Sequence, residues 1–310
     1  MPIIEQVRRF LIESEKSDKK PLVVILGPTA SGKTALSLKL SLEVDGEVIS
    51  ADSRQVYREM NIGTDKIEAG IRAQIPHHMI DIRDPDQPYN LAEFQRDAKR
   101  IIEDLHFRKK VPLLVGGTGL YISAIVNDYQ LPQVLPDLNL RKELEQELAE
   151  QGSESLYAML TELDPLAASK IHPNNHRYLI RALEIILSTQ KPIHRTKGEC
   201  PYEVFQVGID WPNEILYERI DRRVEEQFER GLVEETRWLL ERYDFNLPSM
   251  TGLGYKQVIQ YLRREIALDE AVLLIKSETR SYARRQKTWF KRDASIYWID
   301  GEVLAKELVK

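Results

Sequence analysis

Apolar and polar positions change rhythm twice along the chain. Through the first 126 residues, short apolar runs alternate with amphipathic stretches: Leu22–Leu26, Ala35–Leu42, Glu47–Ser50, Leu91–Leu105 and Val111–Val115. Strand-length runs separated by helical periods are the pattern of βαβ units, and they predict a parallel sheet flanked by helices. From Asn127 to Gly198 strand signals disappear, and leucines recur at helical spacing among charges in Leu140–Gln151, Ser155–Leu163 and His176–Leu187. This stretch reads as an all-helical insertion. Val204–Trp211 restores a buried-strand pattern, and Pro212 with Asn213 and Glu214 opens a helix. Everything beyond Asn213 is helical in pattern, broken at Asn246–Gly254 by Pro248, Gly252 and Gly254. Ahead of the first strand, charges interleave with Ile3, Ile4, Val7, Phe10 and Leu11 as in a short amphipathic helix. The expected organisation is an α/β core of 21–126 and 199–310, a helical insertion at 127–198, and an N-terminal helix at 1–20.

Composition narrows this picture. A chain of 310 residues with 42% hydrophobic content can bury a large core. Its apolar runs fall far short of the roughly 20 residues that cross a bilayer. Residues 1–20 lack the uninterrupted apolar segment of a signal peptide. The single Cys200 excludes an internal disulfide and a cysteine-rich zinc site. Together these point to the cytoplasm. The net charge of −5 argues only weakly against a nucleic-acid partner, because such a partner senses the local patch rather than the total.

Gly27-Pro28-Thr29-Ala30-Ser31-Gly32-Lys33-Thr34 follows an apolar strand and precedes a helix pattern, the context a phosphate-binding loop requires. Backbone N–H groups converge there on phosphate oxygens, the following helix directs its positive end at them, Lys33 adds a charge, and the Thr34 hydroxyl can ligate Mg²⁺. A di- or triphosphate ligand is expected. Asp52 stands just past the second strand, where ligands gather in open α/β sheets. It serves as a general base, a Mg²⁺ partner or a substrate contact, or else as a helix cap alongside Ser50 and Ser53. A second glycine-rich turn, Gly116-Gly117-Thr118-Gly119, ends the strand at Val111–Val115 and should line the same cleft. No acid closes that strand, which counts against ATP hydrolysis.

Lys276–Arg292 carries seven basic residues against one acid in a chain that is acidic overall. At helical spacing Arg280, Arg284, Lys287 and Lys291 share a face suited to a phosphate backbone, while Tyr282 and Trp289 share another. With Arg177, Arg181, Arg219, Arg222 and Arg223 elsewhere, an RNA-binding surface is expected.

Gly27–Thr34, Ala51–Tyr57, Gly116–Tyr121, Asn175–Glu184, Gly252–Gln257 and Arg284–Lys291, in this order and spacing, resemble the bacterial tRNA dimethylallyltransferase family over nearly the whole chain. The resemblance implies a P-loop core like that of nucleotide kinases and a helical insertion that grips the anticodon stem-loop. It implies a monomer, with tRNA as acceptor, dimethylallyl diphosphate as donor, and Mg²⁺ as cofactor. The reaction it implies is transfer to the N6 amine of the adenosine 3′ to the anticodon, in tRNAs that read codons starting with U. By motif, Asp52 corresponds to the general base, Lys33 and Thr34 to diphosphate and metal contacts, and Thr118 to a contact near the acceptor adenosine. Arg223, with Arg219 second, corresponds to an arginine that stabilises the departing diphosphate. Asp52, Ser53, Arg54 and Gln55 are placed at the target base. The remaining RNA contacts fall on His176, Arg177, Tyr178, Leu179 and Ile180, on Thr251, Gly252, Leu253, Gly254, Tyr255 and Lys256, and on Arg284, Arg285, Lys287 and Lys291. Three rivals share the loop: a small-molecule P-loop kinase, an adenylate isopentenyltransferase, and a non-catalytic RNA-binding protein.

Overall fold

The computed structural model describes residues 2–131, 137–190, 192 and 197–309. Parts of the expected N-terminal helix (Met1) and of the expected insertion (132–136, 191 and 193–196) lie outside the described residues. The described chain divides into two compact units, one of 1–127 with 200–310 and one of 128–199.

The first unit opens with α1 (Ile3–Ser14) and β1 (Lys20–Leu26), then α2 (Lys33–Val44), β2 (Gly46–Ser50), α3 (Ala69–Gln74), β3 (His77–His78), α4 (Leu91–Phe107), β4 (Val111–Gly116) and α5 (Gly119–Val126). The second unit holds α6 (Leu138–Gln151), α7 (Ser153–Leu163), α8 (Pro165–Ala168) and α9 (His176–Thr189). The first resumes with β5 (Tyr202–Asp210), α10 (Asn213–Glu229), α11 (Leu232–Leu240), α12 (Tyr255–Leu262), α13 (Leu268–Phe290), β6 (Tyr297–Asp300) and α14 (Gly301–Val309).

All strand pairs are parallel, in the order β3-β2-β4-β1-β5-β6. β1 is central because both its faces are apolar. Val23 and Ile25 enter the core formed with α1, α2 and α10, through Leu36, Leu40, Leu216 and Ile220. Leu22, Val24 and Leu26 enter the core formed with α4 and α5, through Phe94, Ala98, Ile102 and Ile122. A strand buried on both faces reads as a continuous apolar run, which is why Leu22–Leu26 was legible. Register aligns the strand ends: Leu26 pairs with Gly116 and Gly208, and Ser50 with Val115. The residues that follow these strands therefore emerge along one edge of the sheet.

Two elements depart from expectation. The chain beyond Asn213 is not wholly helical, since Tyr297–Asp300 adds β6 beside β5, with Val207 opposite Tyr297. β3, only two residues long, pairs with β2 through His77 and His78. Both are edge strands too short to show a period of their own. A third core, of Val56, Met60, Val224, Leu232, Leu239, Tyr255, Val258 and Ile275, joins α10 to α13 beneath the 52–60 segment.

In the second unit, Leu144, Leu156, Leu160, Leu179, Leu183 and Ile186 form a separate apolar cluster. Glu184 is fully buried there. Its carboxylate accepts from Arg141 and Arg181, both at 2.8 Å, and from the Asp137 backbone N–H at 2.9 Å. Burial pushes Glu184 up, but hydrogen bonds from Arg181 and Arg141 outweigh it and hold the group below its ordinary value.

Candidate active site

The phosphate loop connects β1 to α2 with a backbone that few side chains tolerate. Gly32 has φ +98°, and Ala30 sits at φ +61° in the left-handed region, which is unfavourable for a residue with a Cβ. Side chains from distant segments hold this shape. Arg219 donates to the Ala30 carbonyl at 2.8 Å, and the Trp211 indole N–H donates to the Ser31 carbonyl at 2.9 Å. Arg219 also lies over the Trp211 ring, 4.5 Å from its centroid. The Thr29 N–H donates to Gln286 on α13 at 3.0 Å.

Lys33 turns back across the loop and donates to the Pro28 carbonyl at 2.6 Å. Burial, and then the charge of Arg223, depress its ammonium to about 7, while Asp52 opposes them. An ammonium this poorly solvated gains strongly from an incoming anion. Arg223 is within 3.4 Å of Asp65, which Arg230 also contacts. Of the two arginines expected at the diphosphate, Arg219 braces the loop's backbone and Arg223 faces Lys33. The buried Ser31 hydroxyl has no hydrogen-bond partner among the described residues.

Asp52 follows β2 in a turn. Its Oδ1 accepts from the N–H groups of Arg54 at 2.8 Å and Gln55 at 3.3 Å. Asp52 therefore caps a turn, the bland half of its expected role, with one oxygen only. Lys33, Thr34, Ser50, Asp52, Gln55, Asp65, Gly116 and Gly117 line one cleft. Thr118 accepts the Ser53 N–H at 3.1 Å, which fastens the second glycine turn to the Asp52 turn. Tyr282 of α13 lies beside Thr118, its hydroxyl pushed up to about 12 by burial and then by Asp52, so it remains neutral. Arg54 donates to the carbonyls of Pro248, at 2.6 Å, and Ser249, at 3.2 Å. That contact draws the 248–254 loop to the same edge.

Several expected contacts are corrected. Gln55 is expected at the target base, but its amide is already used: it accepts from Ser50 at 2.9 Å and donates to the Thr64 carbonyl at 3.2 Å. Leu179 and Ile180 are core residues of the second unit, because α9 turns its apolar face inward; His176, Arg177 and Tyr178 are exposed. Gly252, Gly254 and Tyr255 are buried as well, and the Tyr255 hydroxyl donates to Glu235 at 2.6 Å. That leaves Thr251 and Lys256 exposed and Leu253 half-buried in this segment. The expected four-cation stripe is partly neutralised: Arg280 pairs with Asp221 at 2.9 Å, Lys287 with Asp210 at 2.6 Å, and Lys291 approaches Asp210 at 3.5 Å. Arg284 and Arg285 remain exposed with no acidic partner among the described residues. The residues that escaped sequence reasoning are Trp211 and Gln286. Their partners lie 180 and 257 residues away, so no local signal could reveal them.

Sheet order, loop and glycine turns define a phosphate-loop α/β protein interrupted by a helical unit. Comparison with known proteins carries this further. The model described as IPP transferase matches residues 55–293, and one described as isopentenyl transferase matches residues 20–70. The chain belongs to the IPP transferase family. The tRNA dimethylallyltransferase of Roseiflexus castenholzii is 50% identical over 89% of this chain and 91% of its own, and that of Carboxydothermus hydrogenoformans is 45% identical over 90% and 91%. Among solved structures, the tRNA isopentenylpyrophosphate transferase of Bacillus halodurans has 42% identity and a TM-score of 0.68, covering 91% of this chain and 90% of its own. A eukaryotic dimethylallyltransferase acting on tRNA has 29% identity and a TM-score of 0.77, covering 91% and 74%.

Proposed function

We infer that the chain is a prenyltransferase that moves the dimethylallyl group from dimethylallyl diphosphate to the N6 amine of the adenosine 3′ to a tRNA anticodon, releasing diphosphate. The observation that carries this reading is the sharing of one cleft by the phosphate loop and Asp52. A leaving diphosphate at Lys33 and Thr34 sets the allylic carbon in front of a carboxylate whose Oδ1 is fixed and whose Oδ2 accepts no hydrogen bond among the described residues. The exocyclic amine of adenine is a weak nucleophile, because its lone pair is delocalised into the ring. A carboxylate that takes its proton as the C–N bond forms lowers the barrier. Negative charge grows on the departing diphosphate, where loop N–H groups, Lys33 and Arg223 oppose it.

The residues also fit Mg²⁺. Thr34 is exposed beside Asp52 and Asp65, so every donor is a hard oxygen. No cluster of three His, Cys, Asp or Glu side chains occurs among the described residues. Such sparse ligation suits an ion that retains waters and takes phosphate oxygens. When bound, Mg²⁺ supplies further neutralisation of the diphosphate. On the RNA side, Arg284, Arg285, His176, Arg177, Tyr178, Thr251 and Lys256 are exposed candidates. No described helix is long and apolar enough to cross a membrane. The reading takes the chain as a monomer, expected to sediment as one 36.0 kDa species.

The test is transfer of label from dimethylallyl diphosphate with Mg²⁺ to unmodified tRNA, beside AMP as acceptor and labelled ATP as donor. Label on tRNA alone, lost in Asp52→Ala with tRNA binding retained, is the expected result. Label on AMP would move the acceptor to a free nucleotide, and phosphate transfer from ATP without prenyl transfer would overturn the reading.

A further inference from the structure

Gln286 is buried on α13, and its amide is used at both ends. Oε1 accepts the Thr29 N–H of the phosphate loop at 3.0 Å, and Nε2 donates to the Gly117 carbonyl at 2.8 Å. Because a backbone N–H only donates and a carbonyl only accepts, the orientation of this amide is fixed by its partners. One side chain thus stitches the two glycine turns together. Glycine at 117 is what leaves it room, since a Cβ there would lie 2.3 Å from Nε2.

We propose that Gln286 is a positioning residue for the donor diphosphate: it holds the phosphate loop in register with the second glycine turn and acts through Thr29 and Gly117. The inference rests on the reading that the loop binds a diphosphate. Loop amides act on an anion only if they converge before it arrives, and preorganised donors avoid the cost of ordering during binding. The loop needs external support for this, as Ala30 is left-handed and the carbonyls of Ala30 and Ser31 are held by Arg219 and Trp211. Gln286 is the brace that acts on an N–H of the loop. It is also the one attached to α13 between the exposed Arg285 and the tethered Lys287, so it belongs to the element that carries the RNA-side cations.

The experiment compares wild type with Gln286→Leu and Gln286→Glu. Calorimetric binding of inorganic pyrophosphate with Mg²⁺ is measured beside steady-state kinetics in both substrates and thermal unfolding. Leucine removes both hydrogen bonds. Glutamate keeps the size and the acceptor but cannot donate to Gly117 and adds negative charge beside the ligand. The expected result is a rise of about tenfold or more in the pyrophosphate Kd and the donor KM, larger for Glu than for Leu, with tRNA KM unchanged. If Gln286→Leu does not fold, the near-isosteric Gln286→Glu decides. Unchanged pyrophosphate affinity and donor KM in a folded variant would overturn the proposal, as would equal loss in all parameters tracking a lowered Tm. Failure of the wild type to bind pyrophosphate would instead overturn the diphosphate reading itself, and is recognisable because it precedes any substitution.

Discussion

Both glycine-rich turns stand at the carboxyl edge of one sheet, each after an apolar strand, yet they use glycine for opposite reasons. In 27–34 the glycines permit a backbone shape: Gly32 is left-handed, and an added Cβ there would meet nothing closer than Arg219 at 4.0 Å. In 116–119 no glycine has a positive φ, and space is what is short. A Cβ on Gly116 would fall 2.2 Å from the Ala51 carbonyl oxygen, and one on Gly119 would fall 2.4 Å from the Trp289 ring. At Gly32 the first turn is open, as the proposed anion site requires, although a Cβ on Gly27 would already meet the Ile209 carbonyl at 3.0 Å; the second turn is filled by protein throughout. Function follows from the pairing, since the packed turn fixes the Asp52 segment and the open one leaves its amides to an anion.

If that distinction holds, damage in the first turn should be chemical and damage in the second structural. Lys33→Met should lower kcat/KM for the donor by about 10³-fold or more, since it removes a charge aimed at the leaving group. Stability should be unchanged or raised, because the ammonium is carried at a desolvation cost. Chemical denaturation beside the transfer assay checks both, and a large stability loss would break the comparison. Gly116→Ala should cost about 3 kcal/mol, because the obstruction is backbone and cannot step aside. Gly119→Ala should cost less, about 1 kcal/mol, since the obstruction is the half-exposed ring of Trp289, which can tilt. Urea midpoints of the two variants measure the order, and equal values would mean the second turn yields as a unit.

The same contrast explains what the sequence made legible. The phosphate loop was readable because the residues that make it are contiguous, and so was the parallel sheet, because β1 and β4 are apolar on both faces. Gln286 was not: its meaning depends on Thr29 and Gly117, which only the folded register of β1 beside β4 brings together. The cations of α13 were visible, whereas their neutralisation by Asp210 and Asp221 was not, since those acids sit on β5 and α10. Motif likeness places a segment at a surface without saying which way each side chain turns. Hence Leu179, Ile180 and Tyr255 were assigned to RNA although their own apolar neighbours claim them.

The last prediction separates the turns by pH. Lys33 is depressed from the ordinary lysine value of 10.5 to about 7, by burial first and the Arg223 charge second. A bound diphosphate favours the protonated form, so above pH 7 the free protein must take up a proton to bind it. Relative to Lys33→Met, in which only the ligand's own ionisation remains, pyrophosphate affinity should then weaken by at most about tenfold per pH unit from 7 upward, with the difference levelling off below 7 where Lys33 is already charged. Calorimetry at pH 8 in two buffers of different ionisation enthalpy should show close to one more proton taken up per site by the wild type than by Lys33→Met. The stability of the ligand-free protein runs the other way: the unfolded chain binds more protons between 7 and 10.5, so stability rises with pH across that window. The Gln286 amide joining the second turn to the first does not titrate. An equal pH dependence in wild type and Lys33→Met would therefore place the titrating group outside the phosphate loop.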